Sequence, residues 1–112
     1  MTSFAERDDI LIITVNEPRL DAAAAPSFKA ALQSHVVGQP ARVIVDLSAV
    51  EFLDSTGLGT LISLLKMMGG RGTLALVGAG AAVRRLLQVT QLERVFRLFH
   101  TLPEAEAALR GG

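Results

Sequence analysis

Residues 43–59 constrain the fold more than any other stretch: Val43-Ile44-Val45-Asp46-Leu47-Ser48-Ala49-Val50-Glu51-Phe52-Leu53-Asp54-Ser55-Thr56-Gly57-Leu58-Gly59. The stretch opens as an apolar, β-branched run, the pattern of a strand buried on both faces. It closes on Asp54-Ser55-Thr56-Gly57, a helix-start signal. Leu58, Leu61, Ile62, Leu65 and Met68 then recur at i, i+3, i+4, i+7 and i+10, one face of an α-helix. A buried strand that runs on into an amphipathic helix demands a sheet with helices packed on it. It also sets Ser55 at a strand-to-helix junction, beside backbone N–H groups with no partner inside the helix. Such junctions hold anions well.

The rest of the chain fits that unit. Phe4–Arg7 is read as a short edge strand and Asp8-Asp9 as a turn. Ile10–Val15, apolar throughout, predicts a central strand. Glu17-Pro18-Arg19-Leu20-Asp21 is read as a loop. Ala22–Val36 predicts a helix with Pro26 near its first turns, and Phe28, Ala31, Leu32, His35 and Val36 on its apolar face. Gly38-Gln39-Pro40 breaks it. The helix after Asp54 ends at Gly69-Gly70. Thr73–Val77 is a strand, Gly78-Ala79-Gly80 a turn, and Ala81–Gln91 a helix with Val83, Leu86 and Leu87 inward. Val95–Phe99 is a last strand at an edge. Thr101 and Glu104 then fit a capping box, and a short helix runs to about Leu109. The expected class is α/β, with a mixed, mostly parallel sheet of about five strands and about four helices, in the order β-β-α-β-α-β-α-β-α. The 112 residues suit one domain, 1–112, with a core at about 10–109.

Composition narrows the function. Half of the residues are hydrophobic, against a disordered chain. No apolar run approaches the roughly 20 residues of a membrane span, and the start of the chain has no basic-then-apolar pattern of a secretory signal. The chain has no cysteine, so it has no disulfide, thiolate metal site or Cys nucleophile. A cytoplasmic protein is the simplest expectation. The absence of Trp and Tyr and the exact balance of 11 basic and 11 acidic residues argue against direct nucleic-acid binding. That balance hides an asymmetry. Residues 1–56 hold eight acidic and four basic residues, and the remainder three acidic and seven basic. Either this is ordinary surface variation, or the Ser55 end is acidic and steers a basic partner.

Catalytic and cofactor motifs fail on spacing. Gly78-Ala79-Gly80-Ala81-Ala82-Val83 resembles a dinucleotide-binding turn, but Val83 stands where the third glycine belongs, and too little chain follows. Around Ser55 a nucleophile elbow would need glycine where Leu53 stands. A base for Ser55 would have to be His35 or His100, and no motif places either there. Clustered metal ligands are absent from the sequence, so no catalytic residue, metal or cofactor is expected. On the tetrapeptide alone, plain helix capping accounts for Asp54 and Ser55.

The wider context points further. Asp46-Leu47, Phe52 and Asp54-Ser55-Thr56-Gly57-Leu58-Gly59 together resemble the signature of the STAS family, specifically the bacterial anti-sigma factor antagonists. The resemblance covers about Ile10 to Leu109. Leu20 and Asp21 also match the family's Gly-x-Leu-Asp, whereas Pro18 replaces its glycine and gives the loop a different path. The resemblance implies a STAS fold and a partner switch rather than an enzyme. Ser55 is the implied phosphorylation site. The implied partners are an anti-sigma factor that is also a serine kinase, and a phosphoserine phosphatase, with the chain itself a monomer or weak dimer. Asp21, Asp54, Ser55, Thr56 and Gly57 form the implied partner surface. A helical wheel adds an uncharged stripe of Thr56, Thr60, Ser63 and Met67 opposite the apolar face, read as an exposed docking surface. Other roles in the same family stay open: a stressosome subunit, or the cytoplasmic STAS partner of a lipid-transporting ABC system. A nucleotide-binding role at Gly78–Gly80 is the remaining alternative.

Overall fold

A computed structural model describes residues 1–111. Seven strands and four α-helices follow one another as β1 (Thr2–Arg7), β2 (Ile10–Val15), β3 (Arg19–Leu20), α1 (Ala25–His35), β4 (Arg42–Asp46), β5 (Phe52–Leu53), α2 (Ser55–Met67), β6 (Thr73–Val77), α3 (Ala81–Val89), β7 (Arg97–Phe99) and α4 (Leu102–Gly111). Five strands form one sheet in the order β1-β2-β4-β6-β7. β1 is antiparallel to β2, and the other pairs are parallel. Asp8 and Asp9 make the two-residue hairpin turn between β1 and β2 with φ of 54° and 62°, the positive values such a turn requires.

The sheet is buried on both faces because its strands are apolar on both. Ile13, Val15, Val43, Val45, Leu74 and Leu76 face Phe28 and Leu32 of α1, Leu58, Leu61 and Leu64 of α2, and Val83 and Leu87 of α3. Ile10, Ile12, Ile44, Ala75 and Val77 face Ala105 and Leu109 of α4. Full burial of each large aliphatic side chain contributes about 1.5–3 kcal/mol, so these rows set the strand register. The expected mixed, mostly parallel sheet with four helices is the one observed.

Local departures have local causes. Residues 19–20 and 52–53 pair as a second, two-stranded parallel sheet, β3 with β5. Two-residue strands are too short to show periodicity, so the expected Glu17–Asp21 loop contains a strand at Arg19–Leu20. α1 starts at Ala25 rather than Ala22, because the Ala24 and Ala25 N–H groups bond to the Asp21 carbonyl in a preceding turn and Pro26 fits the first helical turn. His35 is exposed rather than in the core. Its ring stacks on Phe4 of β1 at 4.2 Å between centroids. The last strand begins at Arg97 rather than Val95, since Leu92–Arg94 is a short 3-10 turn. Half of the capping box forms: the Thr101 hydroxyl accepts from the Glu104 N–H (3.3 Å), while Glu104 Oε1 takes the Thr101 hydroxyl (2.9 Å) instead of the Thr101 backbone N–H.

Candidate functional site

The site is built on the small β3–β5 sheet. The Pro18 carbonyl accepts from the N–H groups of Glu51 (2.7 Å) and Phe52 (3.1 Å), and the Leu20 carbonyl accepts from Asp54 N–H (3.4 Å). These bonds seat the start of α2 beside the Leu20–Ala22 backbone. Gly57 completes the seat. A Cβ at this position would overlap the Leu20 carbonyl oxygen, so only glycine lets the first turn of α2 come so close.

Asp54 holds the junction with both carboxylate oxygens. It is the N-cap of α2, with an extended backbone (φ −102°, ψ −177°). Oδ1 accepts from Gly57 N–H at 2.8 Å and Oδ2 from Ala22 N–H at 3.1 Å. The first bond satisfies a helix-end donor, and the second ties the helix to the loop before α1. Asp21 works in a similar way one strand over. Its Oδ1 accepts from Ala24 N–H (3.1 Å) and its Oδ2 from Arg19 Nε (3.0 Å). The Arg19 hydrogen bond, followed by the Ala24 backbone donor, holds the Asp21 carboxyl below its ordinary value. The Arg19 guanidinium also lies over the ring of Phe52, 4.3 Å from its centroid.

Ser55 is the first residue of α2 and is exposed, as is Thr56. Among the described residues the Ser55 hydroxyl has no hydrogen-bond partner. It therefore offers a free oxygen at the positive end of a helix dipole, next to the Asp54 carboxylate, which is already engaged. His35 Nδ1 is taken by the Ala31 carbonyl at 3.0 Å, and His100 sits beside Arg84 at 3.4 Å. Neither ring is hydrogen-bonded to Ser55, so neither activates it here. Among the described residues no group of three or more His, Cys, Asp or Glu could hold a metal ion. A cleft of about 480 Å³ opens beside Asp21, between α1 and the Pro18–Asp21 loop, floored by Val15, Leu20 and Phe28.

The structure brings together Asp21, Asp54, Ser55, Thr56 and Gly57, but not the rest of the predicted stripe. Thr60 is only 5% exposed, and its hydroxyl donates to the Gly57 carbonyl at 2.5 Å. Ser63 is half-buried with its hydroxyl donating to the Gly59 carbonyl (3.0 Å), and Met67 packs against the core. The buried face of α2 is Gly57, Leu58, Thr60, Leu61, Leu64 and Met68, while Ile62 and Leu65 are only partly buried. The wheel followed the apolar residues. The helix instead turns Gly57 onto the Leu20 backbone, and Thr60 is buried on the same face with its hydroxyl satisfied by the Gly57 carbonyl. Arg19 and Phe52 are the site features that the sequence reading did not single out. Phe52, an aromatic 40% exposed, had stood only as a spacing match. The Gly78 turn is explained by packing: its φ is +70°, and a Cβ there would overlap the Ser48 side chain.

Comparison with known proteins gives the family and the fold. The STAS domain family matches residues 2–105. The chain is 32% identical over 108 residues to the anti-sigma-F factor antagonist RsfB of Mycobacterium tuberculosis, covering 96% of this chain and 88% of that one. It is 32% identical over 94 residues to the anti-sigma-B factor antagonist of Listeria monocytogenes, covering 83% and 81%. The crystal structure of an anti-sigma factor antagonist from Mycobacterium paratuberculosis superposes with a TM-score of 0.87 at 33% identity, covering 98% of this chain and 93% of that one. A match that spans nearly every described element, the Ser55 junction included, places the chain in the STAS domain family.

Proposed function

We propose that this chain is an anti-sigma factor antagonist that acts as a phosphorylation-controlled partner switch. The observation that carries the reading is Ser55, an exposed hydroxyl without a hydrogen-bond partner among the described residues, at the N-terminus of α2 next to the Asp54 cap. Relatives over nearly its whole length carry the name of anti-sigma factor antagonist. In the unphosphorylated form the chain, acting as one STAS domain in the cytoplasm, binds an anti-sigma factor and so frees the sigma factor. The anti-sigma factor is also a serine kinase. It transfers the γ-phosphoryl group of ATP to Ser55 Oγ: the new P–O bond forms as the bond to ADP breaks, and the hydroxyl proton is released. A phosphoserine phosphatase reverses the state. The chain is thus a substrate and a binding module, not an enzyme.

The energetics are adequate. A phosphate adds about 1.5–2 negative charges, which a helix N-terminus tolerates within the fold. Across an interface that already holds Asp21 and Asp54 it repels any acidic partner surface and desolvates poorly. A tenfold affinity loss needs only about 1.4 kcal/mol.

The test is phosphorylation by an anti-sigma factor kinase from the source cell, with mass spectrometry of the peptide and calorimetric affinity for the kinase. One phosphate is expected on Ser55 and none on Thr56. Ser55→Ala should bind without accepting phosphate. Ser55→Asp should bind more weakly, though less so than the phosphoprotein, since it carries about half the charge. Equal affinity of the phosphorylated and unmodified proteins would end the switch reading, and modification of Thr56 would end the Ser55 assignment.

A further inference from the structure

We infer that Arg19 is a phosphate-binding residue for Ser55 of its own chain, exchanging its present partner Asp21 for the phosphoserine dianion. The inference rests on the reading of Ser55 as the acceptor and adds to it a cation that neither the family signature nor the relatives' names assign.

Three observations place Arg19 for this role. β3 and β5 pair in parallel with Arg19 opposite Phe52 and Leu20 opposite Leu53, so the strand carrying Arg19 runs alongside the segment that leads into Ser55. On both sides of Ser55 the chain is fastened to that strand. Asp54 bonds to Leu20 and Ala22, and Gly57 packs on the Leu20 carbonyl. The guanidinium itself is held by two contacts that leave it available. One is the face of Phe52, which orients it without consuming a donor. The other is a single Nε bond to Asp21, in a pair whose arginine side chain is 60% exposed. A guanidinium has five N–H donors in a planar fork, and among the described residues only Nε is engaged with an acceptor.

A phosphoserine dianion is the stronger competitor for that fork. It offers three acceptor oxygens and about twice the charge of a carboxylate, and arginine matches phosphate with two parallel bonds. Asp21 does not need Arg19 to stay in place, because Ala24 N–H holds its other oxygen. The exchange changes what the surface presents. Before modification Arg19 and Asp21 neutralise each other over Phe52. Afterwards Arg19 turns to the phosphate and the Asp21 carboxylate is left without its cation. The group that repels a partner is then the phosphate together with Asp21, and Arg19 keeps the phosphate ordered against α2.

The charged groups on the elements that meet at the α2 junction are Asp54 of its own turn, Asp21 and Arg19 at β3, Glu51 ahead of β5, and Arg84 and Arg85 on α3, which packs against β5. Arg84 is turned to the Ala79 carbonyl (3.0 Å) and His100. Arg85 is exposed and has no ion-pair partner among the described residues, so it is the rival cation and the control.

The experiment builds phosphoserine into position 55 of the full chain during translation, which requires no kinase. The second ionisation of the phosphate is followed by phosphorus NMR, and Asp21 by carboxyl carbon NMR. Arg19→Gln should raise the phosphate ionisation by at least about half a pH unit, Arg19→Lys by less, and Arg85→Gln by a negligible amount. The Arg19 difference should shrink but not vanish in 0.5 M salt, where the Debye length is only a few ångströms, so a direct contact survives and a distant charge is screened out. Installing the phosphate should raise the Asp21 ionisation more in the parent chain than in Arg19→Gln. Equal phosphate ionisation in the parent and Arg19→Gln proteins overturns the inference, as does a difference that salt abolishes. A kinase reaction that modifies another residue would instead overturn the acceptor reading, with the Arg19 titration still interpretable by itself.

Discussion

The starts of α2 and α3 make an instructive pair. α2 follows β5 of the small sheet and α3 follows β6 of the large one, and both have glycine near the junction. α2 begins on Asp54, whose carboxylate is bonded to Gly57 N–H and Ala22 N–H. α3 begins on Gly80, which gives no side-chain cap, and open space surrounds the position where its Cβ would stand. At α2 the junction is strapped to a second sheet and leaves a hydroxyl bare. At α3 a positive-φ glycine packs on Ser48 and no side chain caps the helix. Two helix N-termini with the same dipole therefore differ in use. What separates them is the supply of groups that fix geometry and the one group left unfixed.

The largest expected effect breaks the α2 strap. Gly57→Ala pushes a methyl into the Leu20 backbone, which cannot yield as a side chain would. It should destabilise the fold by about 3 kcal/mol, the upper end of the usual overpacking cost, measured as a loss in urea midpoint. A near-neutral result would mean that β3 does not seat the helix.

Next are the caps. Asp54→Ala removes two accepted bonds and should cost about 1–3 kcal/mol. The converse at the other helix, Gly80→Ser, supplies a side-chain cap and should be neutral or stabilise by a few tenths of a kcal/mol. Thermal midpoints of the two variants decide it. If both changes are small, the two junctions are held alike and the contrast drawn above fails.

Two threonines on α2 give a finer comparison. Thr60→Val leaves the hydroxyl's buried place without its bond to Gly57 and should cost about 1 kcal/mol. Thr56→Val alters an exposed position and should stay within about 0.5 kcal/mol. Equal losses in chemical denaturation would contradict the burial difference.

The threonine pair also marks the limit of what the sequence makes legible. The five-stranded sheet and four helices are readable because long apolar runs leave few ways to bury them. Val43–Val45 and Leu74–Val77 could only be interior strands, and Thr101 with Glu104 could only start a helix. Ser55, Asp54 and Gly57 are readable as a unit because they are contiguous. The β3–β5 sheet is not, since its partners lie about thirty residues apart and each strand is two residues long. Arg19 and Phe52 become a pair only through that sheet. Thr60 misled the wheel because its polarity marks it as outward, while a bond to its own helix backbone lets it sit inward. The rotation of α2 is fixed in part by the Gly57 contact with the Leu20 backbone, and a periodicity count gives a glycine no weight.

The smallest effect is a pH dependence, and it tests whether the Arg19–Asp21 pair is real in solution. The Asp21 carboxyl is held below its usual 3.8, chiefly by Arg19 and then by the Ala24 N–H. A carboxyl with a lowered value in the folded chain binds fewer protons there than when unfolded. Its contribution to stability is therefore complete above about pH 4–5 and is lost as the pH falls through the lowered value. Arg19→Gln removes the leading cause of the lowering. Near neutral pH the parent chain should be slightly more stable than Arg19→Gln. Below pH 4 the two curves should converge, as protonation removes from the parent what the substitution has already removed. Because both side chains reach solvent, 0.5 M salt should shrink the gap. Urea midpoints taken from pH 6 down to pH 3 measure it. Curves that run parallel through that window would mean that Arg19 spends its time elsewhere. Phe52 would then be the contact that orients it, and the Asp21 carboxylate would already face a partner uncovered before any phosphate arrives.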